Sequence, residues 1–212
     1  MRYWLASLVV LSASAAAQDP YKVEIDNEWV RVLRMKQGPH QKTANVQRPP
    51  TVTVWLTDSY QRITSADGKA QQVARKAGDV TYASASKRAE ENSADQPLEA
   101  IVVELKPSKT KSPPIALDPV KLDPKYHLVP FENDRVRVLR TILEPHLKSP
   151  MHEHPHYVVV YLTELHTTMT MADGKVVDNP RRPGDVAWRD ALKHETENVG
   201  ERTAVEIQIE IK

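Results

Sequence analysis

The residues with the most chemistry to offer sit in the second half of the chain. His152, His154 and His156 are separated by Glu153 and Pro155, and His194 follows further on. In an extended chain every second side chain points the same way, so three alternating imidazoles on one strand would converge on one face. Imidazole nitrogens suit divalent iron, copper, nickel and zinc, while a set without carboxylate favours manganese less. Any chemistry there needs open positions on the metal. Metal-bound histidines also need partners for their second ring nitrogen. Glu153 points to the opposite face and is a poor candidate. Glu164 and His166 share the inward parity if the strand runs straight, and are expected behind the ligands or along the pocket. A His-x-His pair also arises by accident on surface strands, so spacing alone leaves that reading open.

The elements that must carry these residues are visible because the chain repeats itself. Shifted by about 106 residues, Val30-Arg31-Val32-Leu33-Arg34 falls on Val136-Arg137-Val138-Leu139-Arg140. In the same shift Ala66-Asp67-Gly68-Lys69 falls on Ala172-Asp173-Gly174-Lys175, and Gly78-Asp79-Val80 on Gly184-Asp185-Val186. About thirty of the 86 aligned positions are identical, without a gap. The four histidine positions become Val46, Arg48, Pro50 and Arg88 in the first copy. None of these is a plausible ligand, so residues 126–212 are expected to hold the metal and residues 21–106 to hold none there. Arg48 and Arg88 could form a fork for a carboxylate or phosphate; pairing with Glu90 or Glu91, or solvent exposure, is the alternative. His40 and His146, and Asn92 and Asn198, occur in both copies. Side chains kept where ligands were lost read as structural, with the asparagines ordering a turn or loop.

Both copies read as β structure. Val30–Arg34 and its counterpart alternate at period two, Val52–Leu56 and Tyr157–Leu162 are β-branched and aromatic, and the Asp-Gly pairs mark hairpin turns. No long helical period appears, and sixteen prolines oppose extended helices. The expected domains are 18–106 and 126–212, joined by a proline-rich linker and lead-in strand over 107–125. Residues 1–17 read as a signal peptide, with Arg2, an apolar Leu5–Leu11 run and Ala15-Ala16-Ala17 before the cleavage point; this implies a secreted or periplasmic protein with no stable membrane anchor after cleavage. A net charge of +1 with scattered basic residues argues against nucleic acid as a partner. Without cysteine there is no disulfide and no thiolate ligand.

The second copy resembles the cupin superfamily. His152-Glu153-His154 matches that family's first motif, and Gly184, His194 and Asn198 match its second. With the duplication, the resemblance covers the mature chain and implies an all-β fold of two cupin-like double-stranded β-helix (jelly-roll) barrels in tandem, a bicupin. It further implies a metal bound by His152, His154 and His194. The family's glutamate falls on Val158, which cannot ligate, and His156 stands near that vacancy as a candidate fourth ligand. Three-histidine sets of this kind imply Fe(II) and dioxygenase-like chemistry on a small-molecule substrate, with Zn, Ni or Cu as other occupants and a homodimer as a family habit. Tyr157, on the face away from His156, and Glu164 are the proton-transfer candidates. A non-catalytic metal- or small-ligand-binding protein, or a structural module with a vestigial site, is the competing reading.

Overall fold

The structure is a computed structural model and describes residues 19–108 and 110–212. The segment read as a signal peptide lies outside the described residues. The first copy forms β1 (Tyr21–Asp26), β2 (Val30–Gln37), β3 (Val46–Arg48), β4 (Thr51–Trp55), β5 (Ser59–Ser65), β6 (Ala70–Arg75), β7 (Val80–Ala83), β8 (Ser86–Asn92) and β9 (Leu98–Leu105). The second forms β10 (His127–Glu132), β11 (Val136–Leu143), β12 (His152–His154), β13 (Tyr157–Tyr161), β14 (Leu165–Met171), β15 (Val176–Arg181), β16 (Val186–Arg189), β17 (Leu192–Asn198) and β18 (Ala204–Ile211). Every strand of the second copy begins and ends 106 residues after its counterpart.

Each copy closes as a jelly-roll barrel of two antiparallel sheets. The five-stranded sheets run β1-β2-β9-β4-β7 and β10-β11-β18-β13-β16; the four-stranded sheets run β3-β8-β5-β6 and β12-β17-β14-β15. The inner strands β9 and β18 are buried on both faces, which is why β9 reads as a nearly unbroken apolar run, while the edge strands β1 and β10 are largely exposed. One face looks into its own barrel: Leu33, Met35, Trp55 and Val102 in the first copy, Leu143, Tyr157, Val159 and Tyr161 in the second. The other face meets its twin. Val30, Val32, Ile101 and Val103 pack with Val136, Val138, Ile207 and Ile209 in one continuous core between the barrels. Full burial of such side chains stabilises by about 1.5–3 kcal/mol each, so the seam supplies what two small barrels lack alone.

The seam is reciprocal in detail. Arg34 Nη2 donates to the Gly184 carbonyl at 2.6 Å, and its counterpart Arg140 donates to the carbonyl of Gly78, the counterpart of Gly184. Both glycines hold φ near +85° (87° and 85°), where a side chain would be strained. Arg34 is held in turn by Glu24 at 2.6 Å and Glu99 at 2.7 Å.

The connector differs from its expected form. Among the described residues of the connector no strand forms; Pro119–Leu122 makes a single helical turn, α1, with Asp118 as N-cap accepting from Val120 N at 3.1 Å. Pro113, Pro114 and Pro119 cannot donate to a ladder, which disfavours a strand here. The connector instead straps the free edge of β12. Glu153 N donates to the Leu117 carbonyl at 2.8 Å, and the Glu153 carboxylate accepts from Ala116 N at 2.6 Å. Glu153 therefore faces away from the barrel, as strand parity requires. Among the described residues no helix is long and apolar enough to cross a membrane.

Candidate metal centre

The four-stranded sheet of the second barrel positions the histidines. β12 pairs with β17 so that His152 stands directly opposite His194, and His154 lies two residues on along the same face. One nitrogen from each falls within 4.8 Å of the others, close enough for one ion to reach all three. The three residues are 2%, 1% and 4% exposed.

Their second nitrogens are already committed. His152 Nδ1 donates to the Pro150 carbonyl at 2.7 Å, His154 Nδ1 meets Glu210 Oε1 at 2.7 Å, and His194 Nδ1 lies 3.2 Å from Thr196 Oγ1. This leaves the Nε2 atoms facing one another, and those of His154 and His194 are buried with no hydrogen-bond partner. An orphaned buried polar atom costs about 1–3 kcal/mol. Two of them aimed at a common point fit a metal ion, which takes neutral imidazole through the free nitrogen. The electrostatics agree. Burial lowers the pKa of His152; burial, then His152 and His127, hold His154 well below its usual range; burial, then His154 and His152, push His194 down to about 2. All three are neutral at physiological pH.

Glu210 extends the site into a chain. Its other oxygen accepts from Arg137 Nε at 2.6 Å, and Arg137 Nη1 lies 3.0 Å from both oxygens of Asp118, the cap of α1. The strap, the β18 carboxylate and the metal-facing imidazole are thus one hydrogen-bonded unit. Two further groups stand beside the imidazoles, of which only His127 escapes a reading of local spacing. His127, on β10, is 2% exposed, packs edge-on to His152 with ring centroids 5.4 Å apart, and is pushed down to about 4 by burial and His152. Tyr157 lies with its ring 4.8 Å from His154. His127 had one signal in the sequence: like the ligands, it is a histidine of the second copy alone, with Tyr21 as its counterpart.

Several expectations are corrected. His156 stands apart from the cluster: its ring lies 4.8 Å from Trp29 and stacks on Trp188 at 5.7 Å, while Nδ1 accepts from Ala191 N at 3.2 Å. Pro155 breaks the strand, and the chain passes from the four-stranded to the five-stranded sheet, so the parity of β12 does not continue. The same break turns Tyr157 inward and sends Val158 into the core between the barrels. Glu164 and His166 lie on an exposed outer groove, with Glu164 3.2 Å from Arg202 and His166 2.8 Å from Asp178. Glu210 fills the place expected for them. His40 and His146 hold turns at φ 55° and 60°. Asn198 donates to the carbonyls of Leu143, Glu144 and Arg202, and Asn92 repeats the pattern with Gln37, Gly38 and Gln96.

In the first barrel Arg48 takes the place of His154 and lies 3.7 Å from Glu104, the counterpart of Glu210. Arg88 is paired with Glu90 at 2.7 Å, so it is not free for an anion.

One interior carboxylate of the second barrel titrates near neutrality. Glu206 accepts from Gln208 Nε2 at 2.7 Å, and burial raises it to about 7 against the opposing pull of Gln208, Arg189 and Arg181. Because its folded pKa exceeds the ordinary 4.5, the folded state holds the proton longer, and stability falls as pH rises between these values. Glu206→Gln is expected to gain about 2–3 kcal/mol over wild type in urea unfolding at about pH 8, and nothing at about pH 4. Parallel pH profiles for the two proteins would contradict this.

No family model and no curated protein matches the chain. Solved structures do. AerE from Microcystis aeruginosa superimposes with a TM-score of 0.69 at 12% identity, covering 91% of each chain. A cupin 2 conserved barrel domain protein from Leptotrichia buccalis gives 0.57 at 11% identity over 95% of this chain and 93% of that one. A Bacillus subtilis oxalate decarboxylase gives 0.59 at 13% identity over 86% and 69%. At these identities the likeness carries the fold.

Proposed function

We propose that this chain, a bicupin by fold, binds a divalent transition metal through Nε2 of His152, His154 and His194 and acts on a small molecule in the second barrel. The observation that carries the reading is the pair of buried Nε2 atoms without partners, beside Nδ1 atoms that are all engaged. A bound Fe(II) would supply redox chemistry and open positions for a dioxygenase-like reaction. The residues around it have separate tasks. Glu210 fixes the tautomer and orientation of His154. Burial raises the pKa of Tyr157, so its hydroxyl keeps its proton and can donate a hydrogen bond. Glu206 can hold or release a proton near neutral pH within the barrel.

A second reading, a non-catalytic metal binder, draws support from the closure of the site, since no ligand exceeds 4% exposure. Metal analysis of protein purified without a histidine tag, followed by oxygen uptake across small-molecule substrates, separates the two. Bound iron with substrate-dependent oxygen consumption supports the enzyme; bound zinc without turnover supports the binder; a chain that takes up no metal ends both. Export belongs to the same proposal, supported by the apolar N-terminal run, and a mature N-terminus at Gln18 would be its signature.

A further inference from the structure

The three imidazoles lie inside the second barrel, each no more than 4% exposed, so an ion must displace part of the wall to reach them. Most of that wall is strand ladder, which opens only with the barrel. One part is not. β10 ends the five-stranded sheet and β12 ends the four-stranded sheet, and no ladder joins these two strands. His127 stands on the first, His152 and His154 on the second, and the His127 ring packs on His152, so the gap runs beside the cluster. The connector closes it: α1 packs against both β10 and β12, with Pro119 buried.

The first barrel spans the matching gap from inside. Tyr21 of β1 and Arg48 of β3 take the places of His127 and His154, and the Arg48 guanidinium lies over the Tyr21 ring at 4.1 Å. In the second barrel both positions are imidazoles, and the span is left to a segment outside the sheets.

The bonds that hold this segment all lead to the metal ligands. Asp118, the N-cap of α1, meets Arg137 Nη1 at 3.0 Å; Arg137 donates to Glu210 at 2.6 Å, and Glu210 holds His154. The amides of Ala116 and Leu117 donate to the Glu153 carboxylate at 2.6 and 3.3 Å, and Glu153 stands between His152 and His154 in the chain. The Asp123 carbonyl, at the far end of α1, accepts from N and Nδ1 of His127, each at 3.2 Å. A helical turn of four residues has almost no stability of its own. Whether it lies docked or lifted is therefore decided by these few bonds.

A dication changes that balance in two ways. It takes Nε2 of His154 and so keeps Nδ1–H on Glu210, which aligns the other Glu210 oxygen for Arg137 and Arg137 for Asp118. It also attracts the negative charge that Asp118 brings with docking. A ligand shifts an equilibrium only through a difference of this kind, and the effect is reciprocal. We propose that residues 116–123 form a metal-responsive clasp, with Asp118 as its positioning residue: the segment lifts from β10 and β12 to admit the ion, and the bound ion draws it shut. Such a clasp presupposes the metal bound by His152, His154 and His194.

The test uses tag-free full-length protein, stripped with chelator and titrated with Zn(II), with hydrogen exchange followed residue by residue by NMR. The amides of Lys121, Leu122 and Asp123 are bonded within α1 and its caps. Their exchange should slow by about fivefold or more at saturation, while Gly174, bonded in a turn of the same barrel, should keep its rate. Asp118→Asn keeps an oxygen for the Val120 amide and loses the charge; it should weaken Zn(II) by about fivefold or more and hasten its entry. Glu153→Ala cuts the strap without touching an imidazole and should act in the same direction, which a role of Asp118 through Glu210 alone would not produce. Circular dichroism verifies folding of each variant, and the exchange comparison in wild type needs no variant. The clasp is overturned if wild type binds one equivalent of zinc with exchange at Lys121, Leu122 and Asp123 unchanged, or if either variant binds zinc with wild-type affinity and entry rate. Wild type that takes up neither zinc nor ferrous iron is the separate result that ends the metal reading, and the clasp with it.

Discussion

Alanine at His154 or His194 should abolish stoichiometric metal uptake, while Arg48→Gln and Arg88→Gln should leave it intact. The expectation follows from how little redundancy the cluster has. Three Nε2 atoms are all the ligand set contains among the described residues, and His156 is turned away between Trp29 and Trp188. His127 touches His152 but lies outside the group of nitrogens that share one centre. A metal that binds only the folded chain stabilises it by about 3 kcal/mol at a hundredfold excess over Kd, and by about 4 at a thousandfold. Wild type should therefore show a rise of several degrees in Tm on metal addition, reversed by chelator, and the alanine variants none. Without metal His194→Ala should lose less than a core truncation usually costs, because it removes a partnerless nitrogen as well as packing, whereas His154→Ala also takes the partner of Glu210 Oε1 and should cost more. Equal metal uptake by wild type and His194→Ala would show that the ion binds elsewhere.

The second large effect is expected at Glu210, which no ligand count would single out. It is 1% exposed and carries two charge-assisted bonds, to His154 and Arg137. Removing one partner of a buried ion pair typically costs about 3–5 kcal/mol, because the other charge stays behind without compensation. Here Arg137 would retain Asp118 alone. Glu210→Ala should lower the urea midpoint of the metal-free protein by an amount in that range, and weaken the metal about 10- to 100-fold by releasing His154. Glu210→Gln keeps the shape and an acceptor for His154, and should separate the two effects: much of the stability loss, less of the affinity loss. Glu104→Ala makes the internal control, since its partner Arg48 is 3.7 Å away without a hydrogen bond. If Glu210→Ala changed metal affinity no more than Glu104→Ala, the imidazole would not depend on this carboxylate.

What the sequence made legible was whatever depends on periodicity within one strand or on comparison between copies. The strands around Val30–Arg34, Tyr157–Leu162 and Leu98–Leu105, the shared face of His152 and His154, and the structural roles of His146 and Asn198 are of this kind. What it hid depends on pairing between distant strands. Glu210 reaches His154 because β18 lies beside β13 in the five-stranded sheet, with Glu210 opposite Tyr157, and no local pattern encodes that register. The place of His156 has a local cause: strand parity stops at Pro155, where the strand ends and the chain changes sheets. One clue to Glu210 is present, since it is among the positions identical in both copies.

The reciprocal seam bears on how such a chain can change over generations. In a symmetric pair of identical subunits every substitution is made twice, so a residue that improves one pocket alters the other as well. Joining the copies end to end removes that constraint while keeping the face they share. Val30, Val32, Arg34 and Gly78 recur as Val136, Val138, Arg140 and Gly184, while His154 stands against Arg48 and Tyr157 against Thr51. Inheritance has thus been conservative on the contact surface and permissive inside the barrels, and one gene can carry two unlike chambers on a frame that neither chamber has to maintain alone.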